Sequence, residues 1–447
     1  MDEDNNQNGS PKDPSSMTVP AMRDLLSRPI FVHFLVYLFY RLIRSLVLFE
    51  SDCYLVFKRI FNVEIFNKSP EAKTASGQEI ELMTILARRR LYPSDVARDV
   101  DFLLFHSELD KFSVLDDPKW QLYSMNEKHA YFVEMPFGIS EYSFKFCDSI
   151  SEAQFGEAQR VARVSWDMFI QKCDKNWRFK SGLGKVIALT TMLNSGSSSL
   201  CHLIQQVAEE SPNPNSIVIF SKPDVFTQLS SYCENYEEFG VQKCRSMLLA
   251  ILRYFCKDQS KDQTFVLRLR PSCIRLVQHL HTVAPHVMNV FMARDQLEHS
   301  ISLFLNPKTE SEADYSKLSI VLKNTFRIFS NIPTVCFGEN YSVNVVRPKS
   351  TIELAVALIC SSVINYKRQK KYYIVPVIYY ENLISETRET LKNLFELCGL
   401  TDLRISNSLV EAAKGLGEKE SNYIQELSNE EKPVIEQTTQ LLEFYSD

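Results

Sequence analysis

The residues with the clearest capacity for chemistry are Asn194-Ser195-Gly196-Ser197-Ser198-Ser199. A β-type run, Val186–Thr191, leads into them and a helical stretch, Cys201–Glu209, follows. A strand, a small-residue turn and a helix start gather backbone N–H groups and hydroxyls around one point, where the helix dipole adds partial positive charge. That is a cradle for a phosphate- or sulfate-like anion. The same residues also read as a serine cap and a glycine turn holding nothing. They do not read as a nucleoside-triphosphatase loop, which needs GxxxxGK[ST] and its lysine. No lysine follows Gly196, and the earlier Gly182-Leu183-Gly184-Lys185 runs into a strand instead of a helix. His279, His281, His286 and His299 are available as proton acceptors, but no spacing singles one out.

Such a loop needs a sheet to hold it. From Lys185 onward, β-rich runs alternate with helical ones: Val186–Thr191, Ser216–Ser221, Thr264–Leu269, Met288–Ala293 and Tyr373–Tyr379. They are continuously apolar, as parallel strands covered on both faces must be. The pattern predicts a three-layer α/β sheet over 181–447, ending in a helix pair from about Asn407 to Phe444. Before it, 62–180 reads as an α+β accessory region. Residues 80–95 have helical character, with Arg88, Arg89 and Arg90 at a solvated end. Trp120–Tyr123 and Ala130–Val133 alternate around Asn126-Glu127-Lys128 as a hairpin, and Ser151–Phe169 has helical spacing.

The chain of 447 residues carries a net charge of −5, which argues against a general nucleic-acid surface while leaving room for one basic pocket. Its 11 cysteines form no CxxC or Cys/His cluster, so no metal site is expected and most should be buried thiols. Residues 1–28 are polar and read as a disordered tail without the features of a secretory signal. The segment 29–61 is different. Pro29–Phe49 is apolar and aromatic, yet His33, Tyr37, Arg41 and Arg44 recur at i, i+4, i+8 and i+11 on one helical stripe. A membrane-interface helix with arginines toward headgroups, a helix docked on the protein's own core and a type II anchor all fit. Membrane association, Golgi or at a cytoplasmic face, is the expectation set against a soluble protein.

Ser195-Gly196-Ser197-Ser198 resembles the [RK]-S-G-[ST]-[ST] loop of the sulfotransferases, especially the carbohydrate branch. Two further elements fit in the right order. The run Met288–Ala293 ends in Arg294-Asp295, with Ser302 eight residues on, and Val377-Ile378-Tyr379-Tyr380-Glu381-Asn382-Leu383 resembles the family's late strand and corner. The resemblance implies that Asn194, Ser195, Gly196, Ser197, Ser198 and Ser199 hold the 5′-phosphosulfate of PAPS (3′-phosphoadenosine 5′-phosphosulfate). It implies that Arg294 and Ser302 grip the 3′-phosphate, and that sulfuryl passes to a hydroxyl or amine, on a carbohydrate. Two departures bear on activity. Asn194 stands where the family has a cation that neutralises the leaving oxygen. Lys222 stands where an acidic residue often follows the second strand, making Lys222 the candidate replacement cation and Asp224 the candidate base. If nothing replaces the loop cation, the alternative is a sulfotransferase fold that binds a nucleotide or partner without chemistry.

Overall fold

The computed structural model describes residues 29–65, 79–91, 95–177, 184–234, 240–306, 340–374, 376–400 and 403–444. The N-terminal tail, Gly182-Leu183 and Tyr92-Pro93 lie outside them. The described chain builds two five-stranded sheets. β1 (Glu79–Arg88), β2 (Phe102–Lys111), β3 (Trp120–Met125), β4 (His129–Glu134) and β5 (Arg160–Ser165) form an antiparallel sheet in the order β2-β1-β5-β4-β3. β6 (Lys185–Thr191), β7 (Ile217–Ser221), β8 (Thr264–Arg268), β9 (Val287–Ala293) and β10 (Ile378–Tyr379) form a parallel one in the order β10-β9-β6-β8-β7.

The parallel sheet is covered on both faces, which is why its strands read as unbroken apolar runs. Alternate residues of β6 go to opposite cores. Ile187 and Leu189 join the cluster with the Ser197–Glu210 and Thr387–Leu397 helices. Val186 and Ala188 join the cluster with the Asp224–Glu234 and Val241–Phe255 helices. That second core also contains Trp120, Phe132 and Val161 of the antiparallel sheet, so the accessory region and the α/β layers share one continuous interior.

Several expectations are corrected. β10 holds two residues instead of the seven of Tyr373–Tyr379; it is an edge strand, and Pro376 has no N–H for a ladder. Glu79–Arg88 is a strand, not a helix. It pairs with β2 and β5, and register shifts at Leu82/Met83 and Ile85/Ala87 break the period-2 signal that would have revealed it. Arg90 is not a solvated end: it is buried, with Nε 2.9 Å from Asp101 Oδ2 and its guanidinium 4.4 Å from the centre of the Phe155 ring. Ser151–Phe169 is split into the Ile150–Glu157 helix, β5 and the start of the Trp166–Asn176 helix. Cys233 and Cys244 are joined in a disulfide between neighbouring helices, while the other described cysteines are free and mostly buried, in line with the expectation. The hairpin about Asn126-Glu127-Lys128 and the C-terminal pair, Asn407–Ser421 and Glu431–Phe444, are found as expected.

The N-terminal helix runs from Pro29 to Ile65, well past Phe49. Its polar stripe faces the protein. Tyr37 and Arg44 are buried, and Arg44 donates to the carbonyls of Phe102 (3.0 Å) and Asp99 (2.8 Å). Arg41 donates to the Tyr37 hydroxyl at 3.1 Å, and Arg89 lies 3.2 Å from His33 Nδ1. The opposite side, from Val32 through Leu35, Phe39, Leu42, Leu46 and Phe49 to Phe57, is exposed. Phe31–Lys58 is long and apolar enough to cross a membrane, with a mean hydropathy of 1.6.

Candidate functional site

β6 is the middle strand, with β8 on one side and β9 on the other. The chain leaves β6 where the strand order reverses, the position at which open α/β sheets form a crevice beyond their carboxyl ends. Met192–Gly196 fills that position. Asn194 and Gly196 are both left-handed, at φ 57° and 80°. A left-handed residue is costly for most side chains but tolerable for Asn, so the backbone alone accounts for Asn at 194. Gly196 is required for a second reason: a Cβ there would overlap the ring of Tyr380.

Gly196 caps the Ser197–Glu210 helix without a side-chain bond, and the first turn holds no acidic residue. The hydroxyl of Ser195 is buried with no hydrogen-bond partner among the described residues. An orphaned hydroxyl beneath uncapped N–H groups fits an anion held by the loop.

A guanidinium reaches the loop from the neighbouring strand. Arg268 ends β8 and donates from Nε to Ser197 Oγ (3.1 Å), from Nη2 to Ser198 Oγ (2.7 Å) and from Nη1 to Ser221 Oγ (3.1 Å). The hydroxyls of Ser197 and Ser198 accept from the guanidinium, which leaves their own protons to donate outward. Arg268 makes no ion pair with a described residue. Sequence reading misses it because Thr264–Leu269 reads as strand alone; the signal is a strand ending in two cations in alternation, Arg268 and Arg270.

Lys222 lies beside this cluster in a left-handed conformation at φ 54°, its N–H donating to Arg268 O at 2.8 Å. Burial, then the charges of Arg270 and Arg268, lower its ammonium below the ordinary lysine value. Asp224 is not free for proton transfer. It is buried, its carboxylate takes Arg270 at 2.6 Å (Nε to Oδ1) and 3.1 Å (Nη2 to Oδ2), and Oδ2 also accepts the Ala97 N–H at 3.0 Å. Its role is to hold Arg270 and to tie the accessory region to the sheet. Ser151 supports the same corner, donating to Lys222 O at 2.8 Å.

On the β9 side, Arg294 reaches the loop. Its Nε donates to Asn194 O at 2.7 Å, and its guanidinium lies 4.1 Å from the centre of the Tyr380 ring that covers Gly196. Asn194 Nδ2 in turn donates to Ser300 O at 3.3 Å. But Arg294 is already neutralised: Nη2 is 2.6 Å from Glu420 Oε1, an ion pair by distance, though not aligned as a hydrogen bond. Ser302 does not face an open cleft. Its hydroxyl donates to Gln425 O and accepts from Gln425 N, both at 2.8 Å. Ser199 is half-buried at the helix start. Among the described residues no cluster of three His, Cys, Asp or Glu is placed to hold a metal.

No protein-family model matches the chain, and no curated protein matches it. Among solved structures, a mouse sulfotransferase complexed with PAP aligns over 59% of this chain and 74% of its own, at 14% identity and a TM-score of 0.25.

Proposed function

We propose that the protein binds a phosphosulfate nucleotide of the PAPS type at Asn194–Ser199 and transfers its sulfuryl group to a hydroxyl or amine. The observation that carries this reading is Arg268, a guanidinium with no ion pair to a described residue, spanning the Ser197 and Ser198 hydroxyls at the switch point of a parallel sheet. In sulfuryl transfer an acceptor oxygen or nitrogen bonds to sulfur while the bond from sulfur to the nucleotide's bridging oxygen breaks, leaving negative charge on that oxygen. Arg268 stands beside the loop with a permanent charge for it, from the next strand instead of position 194. Lys222, whose N–H donates to Arg268 O, adds a second positive charge beside the departing oxygen, and the acceptor's proton leaves to water, since Asp224 is taken up by Arg270. Lys222, Arg268 and Arg270 make a basic corner beside the loop, with Arg270 held by Asp224. A carbohydrate hydroxyl is the acceptor class to test first, on the loop's resemblance to that branch.

The test is a titration of the native chain with 3′-phosphoadenosine 5′-phosphate (PAP), followed by transfer of labelled sulfate from PAPS to glycan acceptors. Binding with transfer supports the full reading. Binding without transfer supports the alternative, a nucleotide-binding protein without chemistry, which the sequestered Asp224, Ser302 and Arg294 favour. Absence of binding overturns both.

The same proposal includes the membrane. The outward ridge from Val32 to Phe57 fits a bilayer interface, with the helix lying along the surface. A spanning helix would strip Arg44 of its two carbonyl partners. Flotation with vesicles should recover the native chain and lose a Phe39→Glu, Leu46→Glu variant; native protein left wholly in the soluble fraction would rule this out.

A further inference from the structure

The second arginine beside the loop is covered by the protein itself, and the covering group has the chemistry of a ligand. Glu420 is next to last in the Asn407–Ser421 helix, where the dipole disfavours a carboxylate. Its side chain is nevertheless only 25% exposed, one oxygen 2.6 Å from Arg294 Nη2 and the other buried with no hydrogen-bond partner among the described residues. A local penalty accepted in order to deliver a carboxylate to a buried guanidinium marks a contact set by the cleft rather than by the helix. Burial and Glu420 also push the Tyr380 phenol up, so the ring beneath Arg294 stays neutral.

The chain beyond this helix has neither helix nor strand from Asn422 to Glu430. It carries Glu426 and Glu430, exposes Tyr423, and returns to the body at Glu431, whose N–H donates to Ser428 Oγ and whose carboxylate accepts the Ser428 N–H. Between its ends it is pinned by Ser302, through the two bonds to the Gln425 backbone, and by Leu427 on the core. One short acidic strap therefore satisfies both Arg294 and Ser302, from more than 100 residues away in sequence.

We propose that Glu420–Leu427 is an autoinhibitory strap. The Glu420 carboxylate takes the place of a ligand's second phosphate on Arg294, and an anionic ligand must displace it to use Arg294 and Ser302. This rests on the reading of the loop as a nucleotide site. It makes occupancy of the two arginines unequal: the Arg268 side is open to a 5′-phosphate group, and the Arg294 side opens only when the strap lifts. A ligand with one phosphate gains nothing from lifting the strap; a ligand with two does.

The experiment uses the full chain, its Glu420→Gln variant and two probes, PAP and adenosine 5′-phosphate. The substitution keeps the shape of the side chain and removes its charge. PAP affinity should rise by about tenfold in Glu420→Gln, within the range of ordinary coupling between a segment and a site, while adenosine 5′-phosphate affinity stays the same. In the native chain, PAP should speed amide exchange over 421–430 and adenosine 5′-phosphate should not. Equal PAP affinities with unchanged exchange would make Glu420 a fixed structural partner and overturn the strap, leaving the loop reading intact. If neither probe binds either protein, the loop reading itself falls and the strap falls with it. Should Glu420→Gln not fold, exchange in the native chain decides alone.

Discussion

Two arginines flank the same loop and stand in opposite electrostatic conditions. Arg268, at the end of β8, touches three serine hydroxyls and no carboxylate of a described residue. Arg294, just past β9, is 2% exposed and is matched by Glu420, by the Asn194 carbonyl and by the face of Tyr380. A paired guanidinium stabilises the fold that pairs it, whereas an unpaired one held at a loop is charge kept for something else. The difference teaches where binding energy is available. It is on the β8 side, where neither Arg268 nor Lys222 makes a close ion pair with a described residue, Glu152 and Asp224 attracting Lys222 only from farther off, and it is already in use on the β9 side.

The largest effect that can break this comparison is in ligand handling. Arg268→Ala should reduce sulfate transfer, or PAP affinity if no transfer exists, by about a hundredfold or more, the cost of removing one preorganised donor from a developing charge. Arg268→Lys should recover part of it. Arg294→Ala should mainly lower the unfolding midpoint, since Glu420 and the Asn194 carbonyl lose their partner. If calorimetry finds the two alanine variants interchangeable, the asymmetry is wrong.

The next effect concerns the one cation on the β8 side that does have a carboxylate. Asp224 is fully buried against Arg270, which is 11% exposed, so Asp224→Ala should cost about 3 kcal/mol in urea unfolding by leaving a charge without its partner. Had Asp224 been the base, the change would abolish transfer and spare stability. A loss of stability well below about 1 kcal/mol, with transfer gone, would return it to that role.

How much of this was legible follows from what each residue answers to. The parallel strands were readable because both faces are buried, and the serine loop because backbone geometry at a switch point needs small residues. Arg294 was found from a motif, yet its neutralisation was not, since Glu420 meets it only through tertiary structure. Arg268 looked like an ordinary strand end. Asn194 reads as a lost cation when its left-handed backbone is reason enough for it. The N-terminal helix is legible as one polar and one apolar stripe, but which side faces the protein depends on carbonyls at Asp99 and Phe102 that periodicity does not reveal.

The smallest effect is the sharpest on sign, and it concerns Lys222. Its ammonium is half-buried beside Arg270 and Arg268, and burial followed by these like charges lowers its pKa from the ordinary 10.5. The charged form is therefore disfavoured in the folded protein. Below the lowered pKa both folded and unfolded chains carry the proton, and the folded chain bears the full penalty. Between the lowered pKa and 10.5 the unfolded chain binds more protons, so stability rises with pH and the penalty fades. Lys222→Met keeps the length of the stem and the same left-handed backbone cost, so it isolates the charge. The variant should unfold at a higher temperature than the native chain near pH 7, and the gap should narrow toward about pH 10 as the native lysine loses its proton. Anion binding should move the other way, falling a few-fold with one cation gone from the β8 side. Opposite signs for stability and binding are what an unpaired charge held for a ligand requires. If Lys222→Met destabilises at every pH, the ammonium has a partner in solution and the β8 side is no more open than the β9 side.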